Sequence, residues 1–193
     1  MNAVAARIAE RRVVAILRCS EPERVGTAVI EGGVDVVEVP MNVPGALSAI
    51  SSLSALPGAL VGAGTVMSAA QAVAALDAGA RFLLSPVLRP EVVAAAHEAG
   101  AAAVPGAFTP TEIDACMRAG ADLVKLFPAD RLTPPDLRVL LAALPDAPLV
   151  PTGGITAANA AAWLAAGAVA VGVGGALTRE PQRARELLAA VAA

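Results

Sequence analysis

Short apolar runs alternate with longer alanine-rich stretches along the whole chain. The apolar runs are continuous, which is typical of strands that are buried on both faces of a parallel sheet. The stretches between them have roughly 10 to 12 residues, the length that a helical crossover between parallel strands needs. Eight strands are predicted, at residues 13–17, 34–39, 60–63, 81–84, 102–104, 123–127, 149–152 and 169–173.

Several predicted helices carry signals for their ends. A hydroxyl for capping, an early proline and an acid in the first turn mark three starts: Ser20-Glu21-Pro22-Glu23, Thr109-Pro110-Thr111-Glu112 and Thr133-Pro134-Pro135-Asp136. Glycine stands at the end of five: Gly32, Gly79, Gly100, Gly120 and Gly167. Eight strands that are each followed by a helix predict one (β/α)8 barrel domain over residues 1–193. A short helix, Ala3–Arg11, would close its bottom, and a doubly wound open sheet is the alternative fold.

Composition excludes two classes of partner. The chain is 56% hydrophobic, but charges, proline or glycine interrupt every apolar stretch. None approaches the ~20 residues of a membrane-spanning helix. A net charge of −3 and an aromatic content of 2% argue against a nucleic-acid surface, which needs a basic footprint and usually stacking rings. Cys19 and Cys116 lie far apart and no signal peptide is recognisable, so we expect a reduced cytosolic protein.

Lys125 is the only lysine, whereas thirteen arginines supply the other cationic side chains. A guanidinium is an effectively permanent cation, but an amine that loses its proton is a nucleophile that forms an imine with a carbonyl compound. The flanking residues Leu123, Val124, Leu126 and Phe127 are a poor setting for a solvated charge. A leftover surface lysine is the alternative interpretation.

Two further charged residues end predicted strands. The side-chain alternation of a strand places Glu38 on the side of Val36 and Lys125 on the side of Leu123. Arg18 directly follows the first strand. Active sites of (β/α)8 barrels lie at the carboxyl ends of the strands, so an amine and a carboxylate would project into one mouth. A buried ion pair without chemistry is the alternative.

Glycine-rich turns predict a phosphate site. Pro151-Thr152-Gly153-Gly154-Ile155 follows the seventh strand and Gly172-Val173-Gly174-Gly175 follows the eighth. Backbone N–H groups at such turns bind phosphate, and barrels commonly bind phosphate after these two strands. Gly62-Ala63-Gly64-Thr65 after the third strand would allow close approach of a ligand, with a hydroxyl at Thr65; an ordinary strand-to-helix turn is the alternative.

Other kinds of site find little support. The single histidine, His97, lies within a predicted helix and is expected at the surface. Cysteines, histidine and carboxylates show no metal-ligand spacing, so no metal site is predicted. A Ser-His-Asp triad has no suitable histidine.

Motifs in one order along the chain resemble the 2-keto-3-deoxy-6-phosphogluconate / 4-hydroxy-2-oxoglutarate aldolases. They are Ala15-Ile16-Leu17-Arg18, Glu38-Val39-Pro40-Met41-Asn42-Val43-Pro44, Val61-Gly62-Ala63-Gly64-Thr65-Val66, Ser85-Pro86, Val104-Pro105-Gly106, Thr109-Pro110-Thr111-Glu112, Val124-Lys125-Leu126-Phe127-Pro128-Ala129 and Pro151-Thr152-Gly153-Gly154-Ile155. The resemblance runs from about residue 7 to the C-terminus.

The resemblance implies a homotrimer of (β/α)8 barrels and a class I aldolase that needs no cofactor. By motif, Lys125 would form the Schiff base and Glu38 would be the acid/base group. Four residues would surround the pyruvate moiety and the lysine: Arg18, Thr65, Pro86 and Phe127. Five would lie on the phosphate side: Thr152, Gly153, Gly154, Gly174 and Gly175. The substrate would be a 2-keto-3-deoxy sugar acid.

Two positions depart from the family pattern. Asn42 stands where some members carry an arginine for the carboxylate, a role that Arg18 would take over. Gly175 stands where members usually have a serine that contacts phosphate, which favours a weaker or unphosphorylated substrate such as 4-hydroxy-2-oxoglutarate. The stretch from Glu38 also resembles the 2-keto-3-deoxy-6-phosphogalactonate aldolases. More distant alternatives are a phosphosugar epimerase or decarboxylase barrel and a ligand-binding barrel without catalysis.

Overall fold

The computed structural model describes residues 2–192, in which strands and helices alternate. The strands are β1 Val13–Ile16, β2 Val36–Pro40, β3 Leu60–Gly64, β4 Phe82–Leu84, β5 Ala102–Val104, β6 Gly106–Ala107, β7 Val124–Leu126, β8 Leu149–Pro151 and β9 Val171–Val173. The α-helices are α1 Ala3–Arg11, α2 Pro22–Glu31, α3 Ala46–Ser54, α4 Ala69–Asp77, α5 Pro90–Glu98, α6 Pro110–Arg118, α7 Pro134–Ala143, α8 Ala157–Ala165, α9 Gly175–Arg179 and α10 Ala184–Ala192. Two single 3-10 turns, Ala129–Arg131 and Pro181–Arg183, complete the described chain.

All strand pairs are parallel and fall into two sheets. The larger sheet has the order β5-β4-β3-β2-β1-β9, and the smaller has the order β6-β7-β8. Pro105 separates β5 from β6, and an isolated parallel bridge joins Thr152 after β8 to Gly172 in β9. The result is a curled parallel α/β fold in which the carboxyl ends of the strands face one side, as the sequence pattern predicts.

Some predicted boundaries are wrong. The fifth predicted strand continues beyond Val104 as β6, with a break at Pro105, which has no N–H for the ladder. The eighth begins at Val171 instead of Val169. Ser20 does not cap α2, because that helix begins at Pro22 with Glu21 as its N-cap residue. The capping boxes of Thr109 and Thr133 are present as predicted.

Alternation along the strands divides the apolar side chains into two layers. Val36 and Leu123 belong to an inner cluster, whereas Val37 and Val124 belong to the layer between strands and helices. Val4, Ala5 and Ile8 of α1 join the inner cluster. Helix α1 therefore covers the amino-terminal end of the strands, and its bounds agree with the predicted helix. Glu38 lies two residues after Val36, and Lys125 lies two residues after Leu123. Both side chains therefore lie on the inner side of their strands, nearer the carboxyl ends.

Within residues 2–192, the structure contains no helix with the length and hydropathy to cross a membrane.

Candidate active site

A cavity of about 590 Å³ collects residues from the carboxyl ends of the strands. Its lining residues are Ile16, Arg18, Thr65, Pro86, Lys125, Phe127, Thr152, Gly153, Gly154, Ile155, Thr156, Gly174, Gly175, Ala176 and Arg179. Ten of the eleven site residues predicted from the sequence are among them. The remaining predicted residue, Glu38, is fully buried and is not part of the cavity wall.

Lys125 enters the cavity from the centre of the smaller sheet. Strand β7 holds it in register with Gly106 of β6 on one side and Val150 of β8 on the other. The Lys125 side chain is buried, and its Nζ lies 5.0 Å from the centroid of the Phe127 ring, a cation–π distance. The amine is therefore buried beside an aromatic ring in the lining of the cavity.

Glu38 brings an unpartnered carboxyl group to the inner face of β2. Neither of its oxygens has a hydrogen-bond partner among the residues described, so the group is not directly bonded to Lys125. Burial raises the pKa of Glu38, while the positive charges of Lys125 and Arg18 act in the opposite direction. A carboxyl group with a raised pKa can hold a proton and release it again, as acid/base catalysis requires.

Arg18 is held by two hydrogen bonds at the rim of the cavity. One of its terminal nitrogens donates to Asn42 Oδ1 over 3.2 Å, and the other donates to Thr65 Oγ1 over 3.1 Å. Both acceptors come after neighbouring strands, β2 and β3. Neutral groups therefore orient this guanidinium, and no carboxylate of residues 2–192 lies within ion-pair distance of it, which suits it to an anionic ligand.

Thr65 occupies an unusual backbone conformation in this network. Its φ is 55°, in the left-handed region that side chains other than glycine rarely adopt. A β-branched residue is strained there, and such strain clusters at functional sites. With this conformation directly after β3, the Thr65 hydroxyl accepts a hydrogen bond from Arg18.

The turn after β8 offers backbone groups to the cavity. Thr152 is buried and its hydroxyl donates to Val150 O over 3.2 Å. Gly153 and Gly154 have φ values of 108° and 69°. A Cβ at Gly153 would lie 3.3 Å from Ala129 N, so the turn is tight as well as left-handed. The two glycines therefore allow close backbone approach of a ligand.

The turn after β9 lies at the same cavity. Gly174 is the N-cap residue of α9, and its carbonyl accepts from the N–H groups of Leu177 and Thr178. The sequence interpretation missed a neighbouring residue, Arg179. A Cβ built at Gly175 would lie 3.2 Å from Arg179 Nη1, so the guanidinium covers the glycine. The spacing of four residues was the available signal, because such residues share one helix face.

Charged residues of one sign line this cavity. Arg18, Lys125 and Arg179 are cationic, and none of the described lining residues is acidic. Within residues 2–192, no group of three or more His, Cys, Asp or Glu side chains is placed to hold a metal ion. His97 lies at the surface, as predicted, 3.1 Å from Asp122 Oδ2. The arrangement suits an anionic carbonyl compound held over a buried amine.

Comparison with known proteins gives a consistent family assignment. Residues 4–192 match the family described as "KDPG and KHG aldolase". A probable 2-dehydro-3-deoxy-6-phosphogalactonate aldolase of Rhizobium meliloti (strain 1021) is 38% identical over 174 residues, which cover 87% of this chain and 82% of that protein.

Two solved structures add detail about the relatives. The first is the 2-keto-3-deoxy-6-phosphogluconate aldolase of Zymomonas mobilis ZM4 with 3-phosphoglycerate, which is 28% identical with a TM-score of 0.85 and coverage of 98% and 96% of the two chains. The second is the KDPG aldolase from Legionella pneumophila "with pyruvate captured at low pH as a covalent carbinolamine intermediate". It is 27% identical with a TM-score of 0.81 and coverage of 98% and 97%.

Proposed function

The chain belongs to the KDPG and KHG aldolase family and is a class I aldolase, and we propose that it cleaves 2-keto-3-deoxy-6-phosphogluconate to pyruvate and glyceraldehyde 3-phosphate. The observation that carries the proposal is the position of Lys125. The one lysine of the chain is buried in β7, in a cavity whose charged lining residues are cations. A keto acid with a phosphate has the complementary charge.

Two features of the strands, the continuity of β5 with β6 and the pairing of β8 with β9, support a closed (β/α)8 barrel as the scaffold. Only Pro105 separates β5 in the larger sheet from β6 in the smaller one, so the two segments act as one strand. The bridge from Thr152 to Gly172 joins β8 to β9, and Val169 N donates to Leu149 O over 3.0 Å. Taken in this way, nine segments make eight strands in a ring, with Glu38 and Lys125 both directed inward.

The reaction begins at the C2 ketone of the substrate. Lys125, as the neutral amine, attacks this carbon and forms a carbinolamine; loss of water then gives an iminium ion. Glu38 transfers the protons that this dehydration needs, acting through a water because its carboxyl group is buried behind the cavity wall. Arg18 pairs with the substrate carboxylate through the fork that Asn42 and Thr65 orient.

Carbon–carbon cleavage follows from the positive charge on the iminium nitrogen. The electrons of the C3–C4 bond move toward this nitrogen as Glu38, again through a water, accepts the proton of the C4 hydroxyl. Glyceraldehyde 3-phosphate leaves, the enamine gains a proton at C3, and hydrolysis releases pyruvate. The iminium is the electron sink, so this sequence needs no metal or organic cofactor.

The galactonate epimer is a second candidate substrate, favoured by the 38% identity to the Rhizobium meliloti protein. 2-Keto-3-deoxy-6-phosphogalactonate gives the same two products, because it differs from the gluconate compound in the direction of one hydroxyl at C4. 4-Hydroxy-2-oxoglutarate is a third compound for comparison. It has no phosphate, so it tests whether the glycine turns after β8 and β9 contribute to binding.

The test is kcat/KM for all three compounds, measured through the pyruvate released. We expect the phosphogluconate compound to be cleaved best and hydroxyoxoglutarate least efficiently. A higher kcat/KM for the phosphogalactonate would identify the second candidate as the substrate. Equal values for the phosphorylated and unphosphorylated acids would contradict the first-choice function.

Two further properties remain predictions. We expect a homotrimer from the family resemblance, which light scattering of the purified protein would test. We also expect a cytosolic location, which fractionation of the source cells would test.

A further inference from the structure

We propose that Arg179 binds the phosphate of the substrate and is the residue that makes the enzyme prefer phosphorylated acids. The inference rests on the proposed function, since it assigns a binding residue to the phosphate end of the same substrate. It adds a charged side chain to the region where the sequence pattern supplies Thr152, two glycine turns and a missing hydroxyl at Gly175.

The first observation is the direction of the Arg179 side chain. Arg179 is the last residue of α9 and lies one turn after Gly175. Helical side chains lean toward the amino end of their helix, so Arg179 reaches back over Gly175. Its Nη1 would lie only 3.2 Å from a Cβ at that position. Because Gly175 has no side chain, the guanidinium of Arg179 can lie against it on the cavity wall.

The second observation is that Arg179 forms no ion pair. Among the residues described, carboxylates lie within ion-pair distance of Arg7, Arg11, Arg24, Arg118, Arg131 and Arg183. Arg183 in the next turn, for example, binds Glu180 over 2.7 Å. Arg179 has no such partner among residues 2–192, although Glu180 is its chain neighbour. An unpaired guanidinium keeps its planar fork for a phosphate, which it binds with two parallel hydrogen bonds.

The third observation is the separation of charges in the cavity. Arg18 is tied to residues that follow β2 and β3, whereas Arg179 follows β9, on the other side of β1. Lys125 enters from β7. A substrate with a carboxylate at one end and a phosphate at the other can therefore meet a different guanidinium at each end while its ketone meets the amine.

The test compares 2-keto-3-deoxy-6-phosphogluconate with unphosphorylated 2-keto-3-deoxygluconate, using the galactonate pair if that epimer is preferred. Loss of a charge-assisted hydrogen bond costs about 10- to 100-fold in binding. Arg179→Ala should lower kcat/KM for the phosphorylated acid by this factor, mainly through KM. It should leave kcat/KM for the unphosphorylated acid within about twofold of its original value. Arg179→Lys, which keeps the charge but loses the fork, should fall between Ala and the original enzyme.

Arg183→Ala is the matched control, because it removes one positive charge from the next turn at a residue outside this cavity. It should change kcat/KM for either acid by less than about twofold. An equal loss with Arg183→Ala would mean that only the general positive field matters, and would overturn the inference. Equal effects of Arg179→Ala on both acids, or no effect on either, would also overturn it.

Gly175→Ala tests the same contact without changing charge. The new methyl group should displace the guanidinium and lower kcat/KM for the phosphorylated acid, but it should have little further effect in Arg179→Ala protein. Additive losses would contradict the contact. Borohydride trapping of pyruvate serves as a separate readout, since pyruvate has no phosphate. If the unmodified protein is not trapped, the proposed function fails; if every variant is trapped and kinetics are unchanged, only the role of Arg179 fails.

Discussion

The carboxyl group of Glu38 fills the space in which any side chain at Gly64 would stand. A Cβ built at Gly64 would overlap the Oε1 and Cδ atoms of Glu38. The φ of Gly64 is outside the left-handed region, so the position needs glycine for space and not for backbone freedom. Gly64 thus acts as a positioning residue for Glu38 across two neighbouring strands.

Gly64→Ala should therefore remove activity without removing the fold. A methyl group there forces the Glu38 carboxyl group to a new position, and acid/base groups contribute roughly 10²- to 10⁴-fold to rate. We expect a loss of at least about 100-fold in kcat, measured through pyruvate release. Circular dichroism should show an intact fold, with a loss of about 1 to 3 kcal/mol in unfolding free energy from the added methyl group.

Gly45→Ala provides a control for lost stability. A Cβ at Gly45 would meet no atom of residues 2–192 within 4 Å, but the φ of 67° makes alanine unfavourable by about 1 to 2 kcal/mol. This variant should be destabilised to a similar degree and should keep its kcat. Unchanged kcat in Gly64→Ala would show that the position of Glu38 is not important for the reaction.

Stability should depend on pH through Glu38. Because burial raises the pKa of this group in the folded state, its contribution is fully present below about pH 4.3, the usual pKa of glutamate. The contribution is lost as the pH rises through the folded-state pKa. Glu38→Gln stays neutral, so its stability relative to the unmodified protein should increase from pH 4 to pH 8. Urea denaturation at both pH values would measure this, and a constant or opposite difference would contradict the raised pKa.

Thr65 is expected to lower the stability of the fold through its backbone conformation and to increase activity through its hydroxyl. Thr65→Gly and Thr65→Ala both remove the hydroxyl that orients Arg18, so kcat/KM should fall by about 2- to 10-fold in both, the value of one neutral hydrogen bond. Only glycine relieves the left-handed strain at φ 55°. Thr65→Gly should thus be more stable than Thr65→Ala by about 1 to 2 kcal/mol. Equal stability in thermal unfolding would show that the strain is absent.

The two cysteines should differ in reactivity. Burial raises the pKa of Cys116 to about 11, and its Sγ lies 3.6 Å from Gly106 O. Since the thiolate is the reactive form, Cys116 should not react with iodoacetamide at pH 8 in the folded protein. Mass spectrometry of the native protein should find modification at the half-buried Cys19 alone, and of the denatured protein at both cysteines. Modification of native Cys116 at the rate of Cys19 would contradict this difference.

The sequence pattern predicted the strands well because most are buried on both faces and appear as continuous apolar runs. Alternation then placed Glu38 with Val36 and Lys125 with Leu123. Ends of strands were less predictable, since they depend on which neighbours supply hydrogen bonds; β6 beyond Pro105 was missed for this reason. The predicted N-cap residue of α2 was also wrong. Ser20 and Glu21 both precede Pro22, and the sequence does not show which of them is the last residue before the helix.

Contacts between distant side chains could not be predicted from the sequence. The position of the Glu38 carboxyl group beside Gly64 depends on strand register, which local patterns do not contain. The bond from Arg18 to Asn42 and the reach of Arg179 over Gly175 depend on rotamers of long side chains. The sequence located the turns that surround the cavity, whereas the structure was needed to show which side chains meet there.

Covalent trapping of pyruvate tests most directly whether Lys125 is the nucleophile. Sodium borohydride added with pyruvate should reduce the imine and add one reduced pyruvyl group, which peptide mass spectrometry should locate on Lys125. Lys125→Arg, which keeps the charge but cannot form an imine, should show no adduct. An unmodified protein after this treatment, or an adduct that persists in Lys125→Arg, would contradict the assignment of Lys125 as the nucleophile.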